Sequence, residues 1–475
     1  MNDDRITSRS AWELAAGIRA GDLSSAEVVA AFVDRIERLN PQLNAVCHLD
    51  AERARQHAIR ADRAVGAGVA SGPLHGIPIL LKDSHRVARM PTMVGNPAAP
   101  RRPARTDGTV AARLRDAGAI ILGKTNVATD LADFQTDNAV FGRTNNPWDL
   151  ERTPGGSSGG AAAAVAARLT PFEVGSDIAG SIRVPAHFTG TWGLKPTAGS
   201  IPVRGHVTEP VRHPRGGGLN ALATIGPLAR DPRDLQLLFE VLKPGAEAPP
   251  ATRPVVTLGL LPSLPGLPVT SAIHDAVLAA GEAATAIGLR AELIDDPPPS
   301  DAHHRVYVRA YEAARRLGSR WSTSAALAEA QAAVRADWDR LLERHDAIIL
   351  PVAMCAAFTH RPSGTPIEVD GAEMPYWRLT RYCEPFNLTG HPALAMPFAM
   401  DAEGMPIGIQ LVGQHGQDQR LIELAAAISS ERTVLGPALP RMFPHVDDDA
   451  PSIGGISPKG GRRLAGAEGF EPSIS

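Results

Sequence analysis

Residues 154–197 read PGGSSGGAAAAVAARLTPFEVGSDIAGSIRVPAHFTGTWGLKPT, and this segment carries the strongest structural signals in the chain. The prolines and glycines at 154–160 indicate a fixed, unusual backbone rather than a linker, because the run lies between segments that are expected to pack. The alanines at 161–168 predict a helix, and FEVGSD at 172–177 predicts a strand. A second turn of small residues, 179–181, follows that strand. Such a turn exposes successive backbone N–H groups in one direction, as an oxyanion hole requires.

Strand-like and helical patterns alternate along the rest of the chain. Serine–glutamate capping boxes at 10–13 and 24–27 predict two helix starts, and Pro41 is expected to end the second helix. A long helical stretch is expected near 303–344. Further strands are predicted at 77–81, 119–122, 255–261, 290–295, 347–352 and 407–413. This alternation predicts an α/β fold with a largely parallel or mixed sheet.

Composition excludes several classes of protein. Apolar residues make up 44% of the 475 residues and charged residues 21%, which excludes a wholly disordered chain. A net charge of −3 argues against a general nucleic-acid binder. Three widely spaced cysteines form no disulfide scaffold or cysteine zinc site and fit a reducing, cytoplasmic location. The N-terminus has no signal-peptide core, and no run of about 18 apolar residues predicts a membrane span.

We expect one domain over residues 1–446 and a disordered tail over residues 447–475. The tail is acidic at first and then rich in glycine, serine and proline, without hydrophobic periodicity.

Three other motifs give weaker evidence of a function. GAIILGKT at 118–125 matches a P-loop pattern, but its middle is a strand core rather than a flexible loop. GSSGG at 156–160 fits a nucleophile elbow with Ser158 and a later His391, but a polar loop precedes it and no aspartate is marked out as partner. His187 and the pair at 303–304 lack metal-binding neighbours, so no metal site is expected.

Lysine is rare in this chain, with five lysines among 48 basic residues. Lys82 ends an apolar strand, where burial would lower its pKa toward neutrality and leave an amine able to act as a base. Ser181, at the end of the second small-residue turn, is the candidate nucleophile that needs such a base. Serine–lysine catalysis is a recognised variant of the catalytic triad.

These segments resemble the amidase signature family of serine hydrolases. The resemblance covers about residues 5–440 and rests on LHGIPILLKD at 74–83, the run up to Thr197, NLTGHPALAMPF at 387–398 and GMPIGIQLVG at 404–413. It implies an amidase-signature fold, with a large mixed, mostly parallel β-sheet covered by helices on both faces. It also implies a cofactor-free enzyme that cleaves small-molecule carboxylic amides, and esters are not excluded as substrates.

The resemblance assigns roles to individual residues. Ser181 would be the nucleophile, Ser157 the bridging serine after a cis peptide bond, and Lys82 the base. The oxyanion hole would be formed by the backbone N–H groups of Ile178, Ala179, Gly180 and Ser181. The supporting residues would be Ser158, Asp177 and Arg183, while Lys124 and Lys195 match structural positions.

The sequence departs from the family pattern in two places. Ala179 stands where the family usually has glycine, and a positive φ there would strain it. His85, Arg86 and Arg89 replace small, acidic or glycine residues after Lys82.

The resemblance leaves partners open. The family includes the A-type component of glutamyl-tRNA amidotransferase, which works in a complex, but Val184 stands where that component tends to carry glutamine. We expect a stand-alone enzyme without nucleic-acid or membrane partners. A homodimer is the candidate oligomer.

Overall fold

The computed structural model describes residues 3–70, 72–206, 222–243, 245, 256–317 and 324–430. The predicted tail, residues 447–475, lies outside these ranges. The strands are β1 (Val46–Leu49), β2 (Pro78–Lys82), β3 (Ile120–Thr125), β4 (Phe172–Asp177), β5 (Trp192–Lys195), β6 (Thr224–Ala229), β7 (Thr257–Leu260), β8 (Arg290–Leu293), β9 (Ala347–Pro351), β10 (Ile367–Val369), β11 (Ala372–Met374), β12 (Ala393–Met400) and β13 (Pro406–Val412).

Helices connect most of these strands. They are α1 (Asp3–Ser8), α2 (Ala11–Ala20), α3 (Ser25–Leu43), α4 (Ala51–Gly66), α5 (Thr109–Asp116), α6 (Gly159–Ala166), α7 (Arg183–Thr189), α8 (Pro232–Leu242), α9 (Ser271–Ala286), α10 (Ser300–Leu317), α11 (Ala325–Leu342), α12 (Glu384–Thr389) and α13 (Asp418–Ser430). Both predicted capping boxes begin their helices. No helix in the described ranges is long and apolar enough to cross a bilayer.

One large mixed sheet organises the described part of the chain. Its eleven strands run in the order β1-β3-β2-β4-β6-β5-β12-β13-β9-β7-β8, while β10 and β11 form a separate hairpin. The mixed α/β fold is confirmed, but the expectation of mostly parallel strands is wrong. Six of the ten neighbouring pairs are antiparallel, because β6 enters between β4 and β5 and the β12–β13 hairpin fills the centre.

The sheet separates two hydrophobic cores. Successive residues of β9 point to opposite faces, so that Ile349 lies in one core and Ile348 and Leu350 lie in the other. Helices α3, α8, α9 and α13 cover the first face, α7, α11 and α12 cover the second, and α6 contributes residues to both cores. The sheet is therefore covered by helices on both faces, as expected.

Two sequence expectations about helices need correction. Pro41 lies inside α3, which continues to Leu43 and ends at Asn44 in a left-handed conformation. Proline lacks one backbone N–H donor. Near the end of a helix the loss of this single hydrogen bond does not prevent the last turn from forming. The helical stretch near 303–344 consists of two separate helices, α10 and α11.

The parallel strands β2 and β4 position the candidate site. Leu81 lies opposite Val174 in the parallel register, so the carboxyl ends of both strands lie at one edge of the sheet. Lys82 ends β2 and Asp177 ends β4. The glycine–serine segment before α6 and the small-residue turn before α7 lie at this same edge.

Candidate active site

The side chain of Lys82 lies entirely inside the protein among three serines. It is 0% exposed. Its Nζ atom lies 2.8 Å from Ser157 Oγ, 2.7 Å from Ser158 Oγ and 3.0 Å from Ser176 Oγ. The carbonyl oxygen of Ser176 lies 3.3 Å from the same atom. The structure therefore brings together Lys82 and the two serines that the sequence predicted.

These contacts can accommodate a neutral amine. A neutral amine has two N–H donors and one lone pair. The Ser158 hydroxyl donates to the Ser176 carbonyl at 3.3 Å, so it is placed to accept from Lys82. If the second N–H is donated to Ser176, the lone pair is left for the hydroxyl of Ser157. In this arrangement Lys82 can accept a proton from Ser157 and from no other serine.

Burial sets the charge of Lys82. Burial lowers its pKa from 10.5 to about 7, while the carboxyl groups of Glu173 and Asp177 act in the opposite direction. The carboxyl of Glu173 is itself buried and accepts a hydrogen bond from Thr125 Oγ1 at 2.6 Å. Burial raises the pKa of Glu173 well above its usual value.

Two threonines hold the glycine–serine segment, and Thr153 Oγ1 accepts the N–H of Gly155 at 3.1 Å. Thr136 Oγ1 donates to the carbonyl of Gly155 at 2.9 Å and accepts the N–H of Gly159 at 3.0 Å. Between them, the peptide bond from Gly156 to Ser157 is cis, as the resemblance implied. The run is therefore part of a rigid site and not a linker.

The two small-residue segments contact each other through their backbones. The N–H group of Ser158 donates to the carbonyl oxygen of Ser181 at 3.2 Å. Ser181 is 9% exposed, whereas Ser157 is 1% exposed. The predicted nucleophile is thus the more accessible of the two serines.

Asp177 holds the turn that carries Ser181. Its Oδ1 accepts the N–H of Gly180 at 2.7 Å, and its Oδ2 accepts the N–H of Ile182 at 3.1 Å. Gly180 has a φ of 107°, and a Cβ atom there would come within 3.0 Å of Cys383 Sγ. Only glycine fits this position without strain.

Arg183 completes the turn from the other side. Its guanidinium forms two bonds with Asp177, 3.0 Å to Oδ2 and 2.9 Å to Oδ1, and both side chains are fully buried. Asn387 and Gln410 accept two of its other N–H groups at 2.6 and 3.1 Å. The ion pair with Arg183 and the backbone hydrogen bonds outweigh burial and hold the pKa of Asp177 far below its usual range.

The prediction for the Gly180 N–H group needs correction. It was predicted to belong to the oxyanion hole, but its hydrogen points to Asp177. The N–H groups of Ile178, Ala179 and Ser181 have no acceptor among the described residues. These three remain available to a ligand.

The sequence of this chain is similar to the sequences of known proteins. The family model described as Amidase matches residues 27–258 and 273–422. The chain is 33% identical over 450 residues to a Mycobacterium bovis protein named AmiB2, a proposed amidase, covering 87% of this chain and 94% of that protein. The chain belongs to the amidase signature family. It is also 32% identical over 499 residues to the A-type component of glutamyl-tRNA(Gln) amidotransferase from Nocardia farcinica, covering 90% and 99% of the two chains.

A solved structure extends the similarity to the fold of this family. A crystal structure of an amidase superposes with a TM-score of 0.77 at 26% identity, covering 89% of this chain and 99% of the other. Members of the amidase signature family hydrolyse amides, so this chain is an amide hydrolase by family.

The substitution of alanine for the usual family glycine at position 179 is tolerated. The positive-φ residues include Gly180 but not Ala179, so the methyl group is not strained there. The backbone N–H of Ala179 is retained.

The other departures from the family pattern follow Lys82 in the chain, and the backbone N–H of His85 donates to the Lys82 carbonyl oxygen at 2.9 Å. His85 is buried, with Nε2 3.1 Å from the Val174 carbonyl, and burial lowers its pKa to about 3. Arg89 takes a left-handed backbone conformation with a φ of 71°. Arg86 donates to the Asp107 carbonyl at 3.4 Å. His85 therefore stays neutral beside the site.

The other two lysines of this region have different surroundings. Lys124 forms a buried ion pair with Asp83 at 2.7 Å. Lys195 donates to the carbonyl of Pro196 at 3.0 Å, and burial lowers its pKa to about 7. Neither side chain contacts the three serines.

Sequence reasoning missed several residues of the site. Ser176 contacts Lys82, but its position depends on the β2–β4 register, which the sequence does not specify. Asn387 and Gln410 contact Arg183 and lie in the downstream segments that resemble the family, so a signal for them was present. Thr136 lies in a loop that carried no recognisable pattern.

Proposed function

We propose that this protein hydrolyses small, linear carboxylic amides through an acyl-enzyme on Ser181. One observation supports this proposal above the others. Lys82 is a fully buried amine with a pKa near neutrality, and its Nζ lies 2.8 Å from Ser157 Oγ. A buried lysine of this kind is suited to act as a general base.

In the proposed acylation step, two protons move as the C–O bond forms. Lys82 accepts the hydroxyl proton of Ser157, and Ser157 accepts the hydroxyl proton of Ser181. The Ser181 oxygen attacks the amide carbonyl carbon, and the carbonyl electron pair moves to oxygen. The N–H groups of Ile178, Ala179 and Ser181 are proposed to stabilise this oxyanion. One such donor typically contributes about 3–4 kcal/mol to lowering the barrier.

Collapse of the tetrahedral intermediate breaks the C–N bond. Ser157 donates its proton to the leaving nitrogen and regains one from the Lys82 ammonium. Ammonia or an amine leaves, and the acyl group stays on Ser181. Water then attacks the ester with the same base, which releases the carboxylic acid and restores all three residues. Ser158, Asp177 and Arg183 are proposed to support the site, since they hold Lys82 and the turn in place.

A hydrolysis screen tests this function. Purified protein is assayed for ammonia or amine release from aliphatic, aromatic and peptide amides and from matched esters. Turnover of at least one amide, lost in Ser181→Ala, is expected. Equal turnover by wild type and Ser181→Ala would overturn the proposed nucleophile.

A second candidate is a role as the A-type component of a tRNA amidotransferase. The 32% identity to such a component favours it, because that similarity nearly equals the similarity to AmiB2. This role requires a complex. Purification of the tagged chain from its own cells distinguishes the two: co-purifying partner proteins and tRNA would favour the amidotransferase, and amide turnover by the isolated chain would favour the hydrolase.

A further inference from the structure

Three potential metal ligands meet away from the candidate active site. Asp339 lies on α11, His391 lies between α12 and β12, and His415 follows β13. Each offers one ligand atom, and the three atoms lie within 4.8 Å of one another. The distant positions of these residues in the sequence give no metal-binding motif, which explains why no metal site was predicted.

The two imidazole rings are already held close together. Their centroids are 4.1 Å apart, and His391 Nε2 lies 2.8 Å from the carboxylate of Asp339. His391 is fully buried, Asp339 is 46% exposed and His415 is exposed. A cation could therefore reach the cluster from solvent and find one fixed ligand inside it.

Thr389 supports both rings from outside the cluster. Its Oγ1 lies 2.8 Å from His391 Nδ1, and its carbonyl oxygen lies 3.0 Å from His415 Nε2. When His391 Nε2 gives up its proton to bind a cation, Nδ1 carries the proton and can donate it to Thr389 Oγ1. Outer hydrogen bonds of this kind fix the orientation of metal-binding histidines.

The charges around the cluster restrict the type of cation. The His391 side chain is fully buried, which favours its neutral ring. Arg335 and Lys195 also contribute positive charge to the surroundings of His415. With one carboxylate and two positive neighbours, the cluster is poorly suited to Mg²⁺ or Ca²⁺, which need several oxygen ligands. Two imidazoles suit Zn²⁺, Co²⁺, Ni²⁺ or Cu²⁺.

We propose that Asp339, His391 and His415 bind one divalent transition-metal ion, with Zn²⁺ as the expected cation and water completing the coordination. The site would join α11 to the segments on either side of the β12–β13 hairpin. It would also fix Thr389, the last residue of α12, the helix whose Asn387 contacts Arg183. The ion is therefore structural, and its binding stabilises the folded chain.

Calorimetric titration tests the site in the full chain. Chelator-treated wild type is titrated with ZnCl₂, and the thermal midpoint is measured with and without the metal. One ion per chain and a higher midpoint are expected. His415→Ala and Asp339→Asn are each expected to weaken Zn²⁺ binding by at least about 100-fold, since each removes a direct ligand.

Two matched variants control for other binding sites. His304→Ala removes an imidazole that lies 2.7 Å from the Glu384 carboxylate and belongs to no three-ligand cluster among the described residues. His445→Ala removes the histidine that precedes the acidic run 447–449 in the sequence. Both should bind Zn²⁺ like wild type. The absence of binding by wild type, or unchanged affinity in His415→Ala and Asp339→Asn, would overturn the proposed site. Neither readout depends on amide hydrolysis.

Discussion

Lys82 Nζ lies 2.8 Å from Ser157 Oγ, and neither side chain is more than 1% exposed. A charged lysine at this depth lacks solvation, so its surroundings favour the neutral amine. The neighbouring Ser158 lies equally close, at 2.7 Å, yet its hydroxyl is placed to donate to the Ser176 carbonyl. Two adjacent serines thus contact the same amine with different hydrogen-bonding roles, which makes their roles separable by mutation.

The first prediction compares these two serines. Ser157→Ala removes the proposed relay hydroxyl and should lower kcat by several orders of magnitude. Ser158→Ala removes a support for Lys82 and should lower kcat by a smaller factor, about 10–100-fold. Steady-state kinetics on the same amide measure both. Equal losses in the two variants would show that Ser157 has no special role.

The second prediction concerns Lys82 itself. Lys82→Met keeps the length of the side chain without a base, and kcat should fall by several orders of magnitude. Lys82→Arg should be equally inactive, because arginine does not lose its proton in proteins. Circular dichroism checks that both variants fold. Near-normal turnover by either folded variant would exclude Lys82 as the base.

The third prediction links the pKa of Lys82 to stability. Because its pKa is about 7 in the folded state and 10.5 unperturbed, the unfolded chain binds more protons between these values. The contribution of Lys82 to the free energy of unfolding therefore rises with pH across this window, by at most about 1.4 kcal/mol per pH unit. Below pH 7 burial of Lys82 is most destabilising. Urea unfolding of wild type and Lys82→Met at several pH values measures the difference between their free energies of unfolding.

The difference in the free energy of unfolding between wild type and Lys82→Met should be largest at neutral and lower pH and should shrink toward pH 10.5. A difference that stays constant across this range would mean that the pKa of Lys82 is not shifted by folding.

The fourth prediction concerns the turn that carries Ser181. Asp177→Asn leaves the fully buried guanidinium of Arg183 without its counter-charge and should lower the free energy of unfolding by about 3–5 kcal/mol. The double variant Asp177→Asn/Arg183→Met buries no charge and should be more stable than the single variant. Denaturant unfolding measures both. A single variant as stable as wild type would contradict the bracing role of this pair.

Local sequence patterns predicted much of the fold. β9 was predicted at 347–352 and spans Ala347–Pro351, because a strand with both faces buried reads as a continuous apolar run with a clear end. The helix end predicted at Pro41 was wrong because the last turn of α3 continues beyond this proline, which the local sequence does not reveal. The antiparallel centre of the sheet was missed because strand order depends on contacts between distant segments.

Some residues of the candidate site were predicted from the sequence, and others were missed or assigned wrongly. Lys82, Ser157 and Ser181 were predicted from their motifs, and the structure places Lys82 beside Ser157. The Gly180 amide was assigned wrongly because a sequence does not reveal which way an N–H group points. Ser176 was missed because its contact with Lys82 depends on strand register.

The pH dependence of covalent labelling tests the proposed base most directly. A fluorophosphonate forms a bond to the nucleophilic serine, and mass mapping identifies the labelled residue. We expect labelling at Ser181, with a rate that rises from about pH 5 to about pH 9 and a midpoint near the pKa of Lys82, and almost no labelling in Lys82→Met. Labelling of another residue, or a Ser181 labelling rate that is flat or falls over this range, would contradict a neutral Lys82 as the base.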